Sequence, residues 1–131
     1  MSERFEMVKD YVLDLGFDID EEIADEEIVI INDHERGIQN LVIDCEDSVL
    51  VLEQLIMEID SGKSGVYRRI LQINRELVYG AFVLNEDGNS LLYRNTLALD
   101  TLDLNELEST INALSLGLAE NGEELLSFAA K

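Results

Sequence analysis

A chain of 131 residues that carries 29 Asp and Glu against 9 Lys and Arg has a net charge of −20, which excludes the basic footprint needed to bind a nucleic acid or an anionic bilayer. Its 47% apolar content is that of a globular domain and not of a disordered acidic tail, and no apolar run approaches the roughly 18–20 residues that span a membrane. A single cysteine, Cys45, rules out an intrachain disulfide, and no apolar stretch follows Met1-Ser2-Glu3-Arg4 as a signal peptide would require; together these predict a cytoplasmic protein. The charge would draw a basic partner segment by long-range attraction, or it serves only to solvate the surface.

Ser2 stands where an N-cap accepts a backbone N–H. Phe5, Val8, Val12 and Leu15 follow at helical spacing, with Met7 and Tyr11 widening the stripe, and Gly16 suits a helix stop. The first helix is expected over Ser2–Leu15. Asp18–Glu27 is acidic, broken by Ile19, Ile23 and Ala24, and reads as a loop or a frayed edge strand. Ile28–Ile31 is a β-branched strand, Asp33–Gly37 a turn, and Ile38–Asp44 the returning strand. A second turn at Glu46–Ser48 leads into a longer strand, Val49–Ile59, which completes an antiparallel meander.

Asp60–Gly65 is the most linker-like segment. Ser64 is placed to cap a second helix, Val66–Leu77, with Tyr67, Ile70, Leu71 and Leu77 along one side. Tyr79–Leu84 and Leu91–Leu99 form a hairpin around Asn85–Asn89, where Asp87-Gly88 is a strong turn signal. Asp103 and Glu106 resemble a capping box that opens a terminal helix over Leu104–Lys131. Its seam runs Leu104, Leu107, Ile111, Leu114, Leu118, Leu125, Phe128. Gly117 and Gly122 each weaken that helix by about 1 kcal/mol relative to alanine, and Asn121-Gly122 predicts a kink or break.

The order α-β-β-β-α-β-β-α predicts a single α+β domain over residues 1–131, an antiparallel sheet packed against helices. Val49–Leu52 and Leu55–Met57 are apolar at consecutive positions, so the third strand is apolar on both faces. The first and third helices would cover one face. A second copy of the chain or a bound peptide would cover the other, unless loops and the second helix suffice. Val49, Val51, Leu55 and Met57 are the candidate partner-binding residues.

Chemistry is sparse. Asp18, Asp20, Glu22, Asp25, Glu26 and Glu27 invite calcium, but the sixth position counted from Asp18 is Ile23 where an EF-hand loop needs glycine. His34 is the only histidine and has no paired His or Cys spacing for zinc. Cys45 precedes an acidic turn that disfavours a thiolate, and it reads as structural. Gly62-Lys63-Ser64 is no phosphate loop, because Met57 stands where the leading glycine belongs. Arg68, Arg69, Arg75 and Arg94 are expected to pair with the excess acids, and Asn74 to be a buried, hydrogen-bonded polar group. One His and one Cys assemble no nucleophile–base pair, so an enzyme is disfavoured.

Four segments carry a family resemblance: Asn40–Asp44, Tyr67–Asn74, Val78–Phe82 and Leu102–Leu107. With the element order, they are similar to the small acidic type III secretion chaperones of the CesT/Tir type, and especially to the YbjN-like branch of that superfamily. The resemblance implies a homodimer without cofactor or catalysis, which holds an extended or unstable client segment. The alternative it leaves open is a YbjN-like regulatory or stress-linked adaptor that acts through folded partners.

Overall fold

The computed structural model describes residues 2–60 and 62–130. Ser61, inside the expected linker, and Lys131, at the expected end of the last helix, lie outside the described residues, as does Met1. The chain begins with α1, Glu3–Asp14, whose Phe5 N–H donates to the Ser2 hydroxyl at 3.1 Å. Gly16, at φ +92°, turns the chain out of it as the sequence predicts. Six strands follow: β1 Glu21–Ile23, β2 Ile28–Asp33, β3 Ile38–Glu46, β4 Val49–Glu58, β5 Ala81–Leu84 and β6 Ser90–Ala98. The second helix, α2, is Val66–Asn74, and the last, α3, is Leu104–Leu126. All strand pairs are antiparallel, in the spatial order β1-β2-β3-β4-β6-β5. The acidic segment after α1 thus supplies an edge strand, with a one-turn helix at Ala24–Glu26 behind it.

One buried cluster holds the fold together. It joins Phe5, Val8 and Val12 of α1, Val66, Ile70 and Ile73 of α2, and Leu107, Ile111, Leu114 and Leu125 of α3 to the inward rows of the strands. All three helices therefore lie on one face of the sheet, α2 included. The leucine seam does what its period demands, except that Leu104 stays partly exposed and Leu118 only borders the core.

Four features of the helices differ from expectation. α3 runs unbroken through Asn121 and Gly122, held by the full burial of Leu125 beyond them, while the Asn121 side-chain amide donates to the Gly117 carbonyl at 3.0 Å. It then stops at Leu126. Beyond it Phe128 is buried and Ala129 bridges Ile59, with Asp60 N–H donating to Phe128 O at 2.8 Å. At the second helix Gly65, not Ser64, occupies the N-cap, and no side chain caps the helix. That helix ends at Asn74, after which Arg75, Glu76 and Leu77 make three-residue turn bonds, and Tyr79 and Gly80, both at positive φ, re-aim the chain into β5. Gly80 is required there: a Cβ would overlap the Tyr93 ring and hydroxyl.

Asn74 is the hydrogen-bonded polar residue its position suggested. Its amide donates to Phe82 O at 2.9 Å and accepts from Phe82 N–H at 2.8 Å. It thus occupies outward backbone groups of the edge strand β5. Asn74→Leu removes both bonds and is expected to cost about 1–3 kcal/mol, read as a lower urea midpoint. An unchanged midpoint would show that the edge strand needs no such partner.

Candidate partner-binding surface

The face of the sheet turned away from the helices is defined by register. One row crosses Ile30, Val42, Glu53, Arg94 and Ala81, and the next crosses Ile28, Asp44, Val51 and Thr96. A third joins Leu55, Leu92 and Val83. None of these apolar side chains belongs to the helix-covered cluster. Leu55 is 59% exposed, in the middle of the sheet.

The four residues singled out from sequence separate on this basis. Val49, Val51 and Leu55 alternate onto the outer face, where Leu55 is exposed, Val49 half-buried and Val51 buried. Val51 is 7% exposed between its cross-strand neighbours Asp44 and Thr96, so it supports the sheet more than it offers a contact. Met57 belongs elsewhere. A β-bulge lies between Leu55 and Met57, so Met57 pairs with the fully buried Leu91 and packs on the core. A plain two-residue alternation runs past that bulge, and this is why sequence reading grouped all four. Leu92, Val83, Ile28, Ile30 and Val42 were missed because strand parity becomes a face only once partners are known.

Carboxylates punctuate the apolar rows. Burial pushes the Asp44 carboxyl up to about 6, helped by the neighbouring Glu46 and then by Glu26 and Glu53. Glu53 is bridged by Arg94 from the adjacent strand at 3.1 Å. Arg69 likewise meets Glu124, whereas Arg68 and Arg75 make no ion pair among the described residues. Cys45 is buried, and desolvation, with Glu27 and Asp44 behind it, raises its thiol to about 11. His34 lies at the other end of the β2–β3 hairpin, on the order of 20 Å away at strand rise, so the two do not meet. Among the described residues no three His, Cys, Asp or Glu side chains gather as a metal site, and no helix is long and apolar enough to cross a membrane.

The chain belongs to the CesT_Tir_1 family, whose model matches residues 1–131. Its fold is that of YbjN from E. coli, at 13% identity over 92% of both chains with a TM-score of 0.66. It is also that of the Yersinia pestis type III secretion chaperone SycH, solved with a stable fragment of YscM2, at 17% identity, 85% of this chain, 92% of that chain and a TM-score of 0.60. SchA or its partner, in the HopA1–SchA chaperone–effector complex, matches at 13% identity over 88% of this chain and 91% of that one, with a TM-score of 0.64. No curated protein matches the chain.

Two outcomes follow from the titrating groups. The folded-state value of Asp44 lies above the ordinary 3.8, so ionisation penalises the folded state. That penalty is absent where both states are protonated, grows as pH rises from about 4 to about 6, and persists above. Asp44→Asn should therefore stabilise by about 1 kcal/mol near neutral pH, after discounting for solvent screening, and by nothing below about pH 4. Denaturation midpoints at the two pH values check this. With its thiol held high, Cys45 should react with a thiol reagent at neutral pH more slowly than an ordinary free thiol, and unfolding in guanidinium should restore the ordinary rate.

Proposed function

We propose that this CesT_Tir_1 protein is a non-enzymatic binding module of the cytoplasm that holds an extended or unstable client segment along the bare face of its sheet. The observation that carries the reading is Leu55, 59% exposed and flanked by Leu92 and Val83, with no helix above it. An apolar row that the chain's own helices leave uncovered suits a partner. The fold shared with SycH and with a chain of the HopA1–SchA complex supports a protein as that partner. Asp44, Glu46 and Glu53 on the same face favour a segment with basic residues beside its apolar ones. Asn74 occupies the outward groups of Phe82 at the β5 edge, so side-chain burial on the open face rather than strand addition at that edge would supply the affinity.

A homodimer is part of the proposal. The outer side of α2 presents Tyr67 and Leu71, 42% and 71% exposed, with Arg68 and Arg75 beside them. That stripe is the most basic surface of an acidic chain, and it suits the acidic surface of a second copy. The alternative function is a YbjN-like regulatory or stress-linked adaptor acting through folded partners; the likeness to YbjN over 92% of both chains favours it. A client-holding protein suppresses aggregation of an unstable protein, whereas an adaptor forms a discrete complex with a folded one.

Leu55→Asp is the discriminating variant. Val51 is too buried for a clean test, since a carboxylate there would threaten the fold. Captured proteins, identified by mass spectrometry at low and high salt, should include a segment-bound client with the wild type. Leu55→Asp should lose it by about tenfold or more while keeping the wild-type unfolding midpoint. Equal capture by a folded Leu55→Asp protein would remove this face as the site.

A further inference from the structure

On the helix side of the molecule, the α2–β5 connection and the exposed flank of α3 enclose a groove of about 570 Å³. Leu77, Val78 and Tyr79 form one wall, and Ala113, Leu116 and Gly117 the other. No outer-face residue lines it. Val78 is 72% exposed, Leu116 59% and Tyr79 56%, so three large apolar side chains face solvent around one cleft.

Both walls are held in place. The buried Tyr93 hydroxyl donates to the Tyr79 carbonyl at 2.8 Å, and the Asn121 amide donates to the Gly117 carbonyl at 3.0 Å. Leu77 lies close enough that a Cβ on Gly117 would meet it at 3.3 Å. Tyr79 itself sits at φ +69°, a conformation that costs a bulky residue about 1–2 kcal/mol. Its half-exposed ring recovers little of that by packing within the chain. A strained, exposed tyrosine on the lip of a rigid apolar cleft fits a contact made with something else.

Charge decides what that is. The ionisable residues lining the groove are Glu76 and Glu120, and neither forms an ion pair among the described residues. Arg69 feels the Glu76 charge, but its guanidinium is spent on two bonds to Glu124. Groove against groove, two copies would set carboxylate against carboxylate in a chain of net charge −20, so the groove is not its own complement. We propose that this groove docks a short basic amphipathic segment of another protein, with an apolar anchor between Tyr79 and Leu116 and Lys or Arg reaching Glu76 and Glu120. The proposal shares with the client-holding reading only that the ligand is a protein segment; its surface is separate.

The probes are a synthetic Leu/Lys peptide of about 18 residues, five helical turns, and the same peptide with Glu for Lys. Each is titrated into the isotope-labelled full chain and followed by amide NMR shifts. The Lys peptide should move Val78, Tyr79, Leu116 and Gly117, and the Glu peptide should not. Leu116→Asp and, independently, Val78→Asp should weaken binding about tenfold. Both positions are exposed, and each variant's unperturbed spectrum reports its fold. Glu76→Gln and Glu120→Gln should lower both affinity and salt dependence. Leu55→Asp should leave this titration unchanged, which keeps it independent of the sheet-face proposal. The inference is overturned by shifts centred on the sheet face, by equal binding of the two peptides, by no binding at millimolar peptide, or by full binding to the Asp variants. Groove shifts on diluting the peptide-free protein would make a second copy the occupant and overturn it too.

Discussion

Three helices on one face of a six-stranded antiparallel sheet leave the other face with no covering element among the described residues, and most of the molecule's character follows from that asymmetry. α3 alone, at 23 residues, is about 35 Å long, while six strands at normal spacing are about 24 Å wide. One helix can therefore reach across the inward rows, with α1 and α2 filling what remains. The result is a single cluster that takes in all three helices. Nothing is left over to shield Leu55, Leu92 and Val83.

A sheet of this kind must also manage its irregular ends, and it does so with side-chain amides. Asn74 fills the outward groups of Phe82 at the β5 edge. Gln54, 3% exposed, performs the same task at the start of β3. There the ladder to β4 has not yet begun, so Gln54 donates to Gly37 O at 3.0 Å and accepts from Gln39 N–H at 3.1 Å. Both are buried or half-buried polar groups whose hydrogen-bonding capacity is used on the backbone. Asn74 thereby closes the β5 edge at Phe82 to another chain's strand, whereas Gln54 satisfies backbone groups between the interior strands β3 and β4.

Charge then acts on two separate apolar surfaces. On the sheet face, burial raises Asp44, and the neighbouring Glu46, Glu26 and Glu53 carboxylates add to it. At the groove beside α3, Glu76 and Glu120 stand without basic partners among the described residues. A cation from outside would relieve the penalty on Asp44 at the first place and would find carboxylates without basic partners at the second. The same net charge that solvates the surface thus biases what can settle on it.

Local signals in the sequence were sufficient for the elements themselves. The 3.6-residue seam of α3, the caps at Ser2 and Asp103, the stop at Gly16 and the Asp87-Gly88 turn act within a few residues, so they can be read without knowing any partner. They sufficed for an α+β chain with an antiparallel sheet. Long-range facts decided the rest. The bulge that turns Met57 inward exists only because β4 pairs with β6 across some forty residues. The unbroken helix at Gly122 relies on the burial of Leu125 against the core, packing that outweighs propensity. The placement of α2 on the already covered face, and with it the exposure of Leu55, depends on how three amphipathic stripes share one sheet. Periodicity determines which side of each element is apolar; only tertiary packing determines which of those sides stay open to a partner.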